Sequence, residues 1–212
     1  MDTSKMIARA RATLLTPKTE WPIIAEEPET VGHLYSNYII EMAAIPAVVQ
    51  FLTYGLIGVR IPFGGYYRVG IVNALVSAVV TYALALIGVY IVALIVDALA
   101  PSFEGQRNRV QALKAVAYAY TATWVASILG IIPGIGIVAV LVGLIYGIYL
   151  LRLGLPATMK CPDSRAVAYT AVTLIVGIVV AIVLDYIGRH LFFGAGYGWG
   201  VPPPGYTGSF PH

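Results

Sequence analysis

Few side chains in this sequence could do chemistry, and their spacing decides what kind. Three carboxylates, Glu41, Asp97 and Asp185, interrupt or border long apolar runs. An ionisable group at membrane depth is costly, so each is a functional candidate, and a proton or cation path is the chemistry it would serve. Two of them have a simpler local use. Asp185 and Arg189 stand four apart on one helix and can pair, and Asp97 precedes a basic stretch with Arg107, Arg109 and Lys114. Glu41 has no such neighbour. His33, His190 and His212 lie far apart without a second ligand at metal spacing, and the single cysteine, Cys161, permits neither an intrachain disulfide nor a C-x-x-C site. Residues 134 to 139, Gly-Ile-Gly-Ile-Val-Ala, spell a dinucleotide fingerprint by letters, but they open an apolar run instead of following a strand. Gly196-Tyr197-Gly198 has the letters of a potassium filter with no later span to re-enter the bundle. With no nucleophile, acid–base dyad, metal set or cofactor motif, the sequence predicts a protein that is not an enzyme and holds no cofactor.

The elements that must position these residues are written in the charge distribution. Only 11% of the 212 residues are charged, where a soluble domain carries roughly 25%. No charge falls in residues 42–59, 69–96, 115–151 or 166–184, nearly half the chain in blocks of bilayer length. That excludes a soluble globular enzyme and a disordered protein. The block 115–151 would make a helix about 55 Å long, far beyond a hydrocarbon core of about 30 Å, so it must be two spans. Ile131-Ile132-Pro133-Gly134 marks the break. The predicted fold is all-α: a polytopic membrane protein with a single bundle of five transmembrane helices, near 36–58, 69–97, 113–132, 134–155 and 166–188.

Loop charges test the weakest span, the first, which holds Glu41, Pro46 and Gln50. With five spans, ten basic residues (Lys5, Arg9, Arg11, Lys18, Arg107, Arg109, Lys114, Arg152, Lys160, Arg165) share one side against Arg60, Arg68 and Arg189 on the other. Without the first crossing the split becomes 7 to 6 and the signal vanishes. The positive side is cytoplasmic, so the N-terminus is expected inside and the C-terminus outside. A net charge of +3 is too small to argue for nucleic acid.

Three domains follow. Residues 1–33 form a cytoplasmic arm: Met6, Ile7, Ala10 and Leu14 share one helical face opposite Lys5 and Arg9, with Trp21 as a candidate interface anchor. An interfacial helix and an ordinary solvated arm are both open. Glu26-Glu27-Pro28-Glu29 reads as a solvated acidic turn. The first 30 residues lack an apolar run of signal-peptide length, so the chain is expected to insert through its own spans. Residues 34–190 form the membrane domain. Residues 191–212 are a Gly, Pro and aromatic-rich extracytoplasmic tail that cannot build a core. Within the membrane domain, small-residue stripes mark packing faces. Gly136, Ala139, Gly143 and Gly147 form one on span four, and Ala166, Thr170, Thr173, Gly177, Ala181 and Asp185 another on span five. Gly70, Asn73, Ser77, Thr81 and Gly88 form a third on span two. A tight bundle is the reading; an oligomer or partner groove is the alternative.

Several segments are similar to one known family. Ala117-Tyr118-Ala119-Tyr120-Thr121-x-x-Trp124, Ile132-Pro133-x-x-Gly136-Ile137, Tyr146-Gly147-x-Tyr149-Leu150-Leu151 and Leu153-Gly154-Leu155-Pro156-x-x-Met159-Lys160-Cys161-Pro162 occur in order, preceded by Leu15-Thr16-Pro17-x-x-Glu20-Trp21 and Ala43-Ala44-Ile45-Pro46. Over about residues 7–188 the chain resembles the Yip domain family (Ypt/Rab-interacting proteins) in its bacterial inner-membrane form. Ala122 stands where members often carry proline, which would remove a kink from span three, and the tail is not a family feature. The resemblance implies five spans and a cytoplasmic N-terminus. Eukaryotic members are non-enzymatic trafficking factors that bind prenylated small GTPases and one another, so a small GTPase partner here is family analogy alone.

The functional expectation is a scaffold or adaptor of the inner membrane, in contact with the lipid bilayer and with a membrane-protein or lipid partner or a second copy of itself. Arg107, Arg109, Arg152, Lys160 and Arg165 are the candidate cytoplasmic contacts; fixing topology by charge is their alternative role. A small transporter or channel component using Glu41 and the stripe of Asn73, Ser77 and Thr81 is the runner-up, and an accessory subunit of a larger membrane complex the third reading.

Overall fold

The computed structural model describes residues 3–61, 65–68, 70–132 and 134–193. Pro133 and the tail Gly194–His212, on which part of the sequence reading rests, lie outside the described residues. Two short helices, α1 (Thr3–Leu15) and α2 (Pro17–Glu26), precede five helices long and apolar enough to cross a membrane: Val31–Ile57, Ile71–Phe103, Arg109–Ile131, Ile135–Met159 and Asp163–His190. The fold is an all-α polytopic bundle. Between the first and second spans sits one unexpected element, an antiparallel hairpin of β1 (Val59–Ile61) and β2 (Gly65–Tyr67), with Arg60 opposite Tyr66.

Consecutive spans run antiparallel. One end of the bundle, called basal below, holds Val31, Phe103, Arg109, Met159 and Asp163; the distal end holds Ile57, Ile71, Ile131, Ile135 and His190. The third span is the axis. About 67% of its most apolar stretch is buried inside the protein, against 17–28% for the others. Its alanines explain why: Ala112, Ala115, Ala117, Ala119 and Ala122 are buried and let neighbours approach. Its helix is unbroken through Ala122, so the kink that proline would have caused is absent. The outer faces of the other spans expose Val72, Ile137, Ile145, Ile175 and Ile182, as helices in lipid contact must.

The third and fourth spans form a hairpin, turned at Gly134, whose φ of +83° suits glycine. Gly143 and Gly147 then lie against the third span's backbone. A Cβ at Gly143 would come 2.6 Å from Ala126 Cβ and 2.9 Å from the Ala122 oxygen, and one at Gly147 3.0 Å from the Ala119 oxygen. Gly136 meets Gly130 equally closely. Gly177, expected on a packing face, does not do this: nothing lies within 4 Å of its Cβ position. The second and fifth spans cross instead at Gly88 under Leu184 and at Gly188 under Leu84, each 2.9 Å from the Cβ position. The first span contains two π-helical segments, Tyr35–Ile39 and Leu52–Ile57. Tyr35 donates to the Leu86 carbonyl (2.8 Å), Gln50 to Ser77 Oγ (3.2 Å), and Tyr82 back to the Ile40 carbonyl (2.9 Å).

Candidate functional site

The charged residues that interact most deeply come from the N-terminal segment, and the sequence reading did not join them. Thr16 is followed by Pro17, which cannot donate its backbone nitrogen, so the helix bends there and α2 leaves at an angle. The bend aims Trp21 inward. It is 1% exposed, sits edge-on to Tyr118 (centroids 6.4 Å apart) and rests on Gly154, where a Cβ would come 2.6 Å from the indole. Trp21 is therefore a core residue and not an interface anchor, because the glycine leaves a slot that the indole fills. Deeper still, Tyr146 donates to the carbonyl of Leu14 at 2.7 Å. At 1.5 Å per residue, Tyr146 is about 20 Å along the fourth span from Met159, so the α1–α2 corner, where Leu15 is 66% exposed, lies far along the side of the bundle and not in its core.

Two cations hold this segment. Arg9 forks between Glu20 and Glu27, pairing with both. Burial works against its charge, but the carboxylates of Glu27 and Glu20 outweigh it and hold the guanidinium above its ordinary value. Lys114, which the sequence placed in a basic stretch with Arg107 and Arg109, is 2% exposed. It enters from the third span and donates to the carbonyls of Ile24 (2.7 Å) and Glu27 (2.6 Å), while Gln111, one turn earlier, donates to Ala25 (2.8 Å). The last carbonyls of a helix lack partners and carry its negative dipole end; here a third-span cation and amide cap them. Tyr38 of the first span extends the contact, stacking obliquely on Tyr118 and sharing a 2.7 Å hydrogen bond with Thr121. The acidic turn is also engaged: Glu27 binds Arg9, and Glu29 pairs with His33. We call this arrangement the latch. No local sequence pattern signalled it, because its charged members stand on three separate helices.

The other candidate residues are scattered. Glu41 is half-buried on the first span, and among the described residues no hydrogen bond or ion pair reaches it. Asp97 does not pair with the basic stretch. Lys114 is turned to α2, Arg107 reaches the Ala98 carbonyl (3.4 Å), and Asp97 Oδ1 is enclosed without a hydrogen-bond partner among the described residues. Asp185 and Arg189 pair at 2.8 Å on the exposed side of the fifth span. Arg107, Arg109, Arg152, Lys160 and Arg165 are all exposed at the basal end, with Arg165 bound to Glu104 at 2.7 Å. Cys161 is buried between the fourth and fifth spans, which pushes its thiol up from its ordinary value. Among the described residues no group of three His, Cys, Asp or Glu could hold a metal. Gly177 opens onto a crevice of ≈ 220 Å³ bounded by the second to fifth spans.

Comparison with known proteins agrees with this architecture. Residues 11–184 match the Yip1 domain. The chain is 26% identical over 183 residues to "Inner membrane protein YohC" of Escherichia coli strain K12, covering 85% of this chain and 93% of the relative, and equally to its counterpart in Escherichia coli O6:H1. No solved structure matches. The matched stretch takes in the last five residues of α1, all of α2 and nearly all of the five spans; Glu20, Glu27, Gln111 and Lys114 of the latch lie within it and Arg9 outside. The chain is an integral membrane protein that belongs to the Yip1 domain family.

Proposed function

We propose that this protein is a non-enzymatic adaptor of the inner membrane, with its basal end in the cytoplasm, that offers a cationic rim to an acidic segment of a membrane-protein partner. The observation that carries the reading is how its cations divide. Arg9 and Lys114 are spent inside the latch, whereas Arg107, Arg109, Arg152 and Lys160 are exposed and, among the described residues, paired with no carboxylate. The first two fix the shape of the basal surface; the other four give it charge. Exposed like charges on one end steer an anionic partner and set the direction of approach. The alternative role of these cations, fixing topology, needs no partner at all.

Purification in mild detergent followed by identification of co-eluting proteins tests the reading. A stoichiometric partner that is lost when Arg152 and Lys160 are both changed to Glu supports it. Binding to anionic vesicles with no protein partner would make the rim a lipid contact. The half-buried, unpaired Glu41 favours a second reading, a small transporter or channel component; flux through proteoliposomes that stops in Glu41→Gln would replace the adaptor. Cysteine-accessibility mapping checks the orientation: labelling at both termini from the same side refutes it.

A further inference from the structure

The α1–α2 pair stands against the bundle as a hairpin whose tip points away from the basal end. Two contacts fix its direction: the Leu14 carbonyl, at the tip, accepts from Tyr146, and Trp21, seven residues on, fills the slot over Gly154, eight residues further along the fourth span. α2 therefore runs beside that span toward the basal end, where Lys114 caps it. Arg9, paired with Glu20 and Glu27, folds α1 back along α2. The tip itself is uncovered. Leu15 is exposed, and so are Arg11, Thr16 and Lys18 around it. Among the described residues neither Arg11 nor Lys18 is paired with a carboxylate.

Depth decides what meets this surface. Arg152 is the first charge after the uncharged block 115–151 and is exposed, so it marks where the fourth span leaves the hydrocarbon. Tyr146 lies six residues short of it, about 9 Å deeper. Its neighbour Ile145 is 68% exposed, as a lipid-facing residue must be. The tip thus hangs below the level at which lipid phosphates meet the rim. Arg11 and Lys18, three and four residues from Leu14 on the two limbs, stand about 5 Å back toward the basal end, and their long side chains carry the charge on to the phosphates while the stems stay in apolar surroundings. A soluble protein does not reach Leu15 at that depth, and acyl chains alone leave both cations unmatched. We infer that the α1–α2 tip binds an anionic phospholipid of the leaflet at the basal end, with Leu15 among the upper acyl carbons and Arg11 and Lys18 on the phosphate. The inference uses none of the four unpaired rim cations as ligands and holds whichever leaflet is cytoplasmic, so it stands apart from the adaptor reading.

The full chain is reconstituted in nanodiscs of fixed phosphatidylcholine and phosphatidylglycerol content, with a fluorophore on Leu15→Cys; Cys161 is buried, so brief labelling takes the introduced thiol. Quenching is compared between discs whose phosphatidylglycerol is brominated on the upper acyl chain and discs in which the same amount of phosphatidylcholine is. The brominated phosphatidylglycerol is expected to quench at least about twofold more, and aqueous iodide to quench little. A label on Glu26→Cys, at the basal end of α2, should show strong iodide and weak lipid quenching. Changing Arg11→Gln and Lys18→Gln together should remove the phosphatidylglycerol excess and leave the shielding from iodide unchanged. Both residues are exposed, and an unaltered melting temperature shows that the fold is kept. Iodide quenching at position 15 as strong as at position 26 puts the tip in water and overturns the inference. Equal quenching by the two brominated lipids in the parent overturns the anionic assignment, and an excess that survives the double variant takes the lipid away from Arg11 and Lys18.

Discussion

Replacing Lys114 by methionine tests the latch at the point where most of its strength converges. The ammonium makes two short hydrogen bonds to the carbonyls of Ile24 and Glu27 at the end of α2. A hydrogen bond to a charged group contributes about 1.5–3 kcal/mol, and a cation at a partly buried helix C-terminus up to about 2 kcal/mol of overlapping benefit. Methionine fills the same volume and relieves the cost of burying a charge, which returns part of that sum. The expected net loss in docking α2 is about 2–4 kcal/mol, a factor of roughly 30 to 1,000 in the open population. Hydrogen exchange followed by mass spectrometry reads this directly. Amides across Pro17–Glu27 should lose protection by that factor, while those of the third and fourth spans around Gly143 and Ala122 keep theirs. Equal protection of α2 in the variant and the parent refutes the reasoning, because Trp21 in its Gly154 slot would then hold the segment unaided. A uniform loss through all five spans refutes it differently, by making Lys114 a part of the general core.

The close approach of spans three and four predicts that Gly143→Leu, whose Cβ would meet Ala126 at 2.6 Å, lowers the melting temperature in detergent by an amount equivalent to about 1–3 kcal/mol or more, whereas Gly177→Leu leaves it within error. The same slope for both would show that the two glycines sit in equivalent surroundings. Burial raises the Cys161 thiol above its ordinary value, so little thiolate exists at neutral pH. Maleimide labelling should be slow in the folded protein, should quicken as pH rises toward the shifted value, and should become fast at neutral pH once the chain is unfolded; prompt labelling of native protein would contradict this. Asp185→Asn breaks an exposed pair of the kind that contributes little. Its melting temperature and expression should match the parent, and a marked fall would reveal a partner for the carboxylate outside the chain.

Most of the bundle was legible because a bilayer imposes one simple rule: charge is excluded from stretches of its own thickness. The gaps at 69–96 and 115–151 located three spans outright, and the count of basic residues recovered the first in spite of Glu41. Gly143 and Gly147 were legible for a similar reason, since a four-residue glycine spacing has few uses other than close helix contact. Gly177 obeyed the same periodicity yet faces a crevice, because spacing shows which residues share a stripe and not what lies opposite. The latch was illegible for a different reason. Arg9, Glu20 and Lys114 come from three helices, with the first and the last 105 positions apart, and no local pattern links them. Lys114 near the start of a span looks like any other positive residue at a membrane edge until its burial is known. Trp21 misled in the same way, as tryptophan near a span suits an interface as well as a slot over glycine.

The hydrogen bond from Tyr146 to Leu14 joins the start of the chain to its fourth span, and so places a clock in the protein's biosynthesis. When α2 leaves the ribosome, neither Lys114 nor Tyr146 has been made. At 5–20 residues per second, roughly 5–25 s pass before the residues that hold the segment are available. During that interval Ile24 and Trp21 have no slot, Arg9 has only the acids of its own segment, and the third span must enter the membrane carrying an uncapped Lys114. α1 and α2 are thus synthesised before any of the five spans and are among the last elements to reach their final places, because the latch closes only once the third and fourth spans exist.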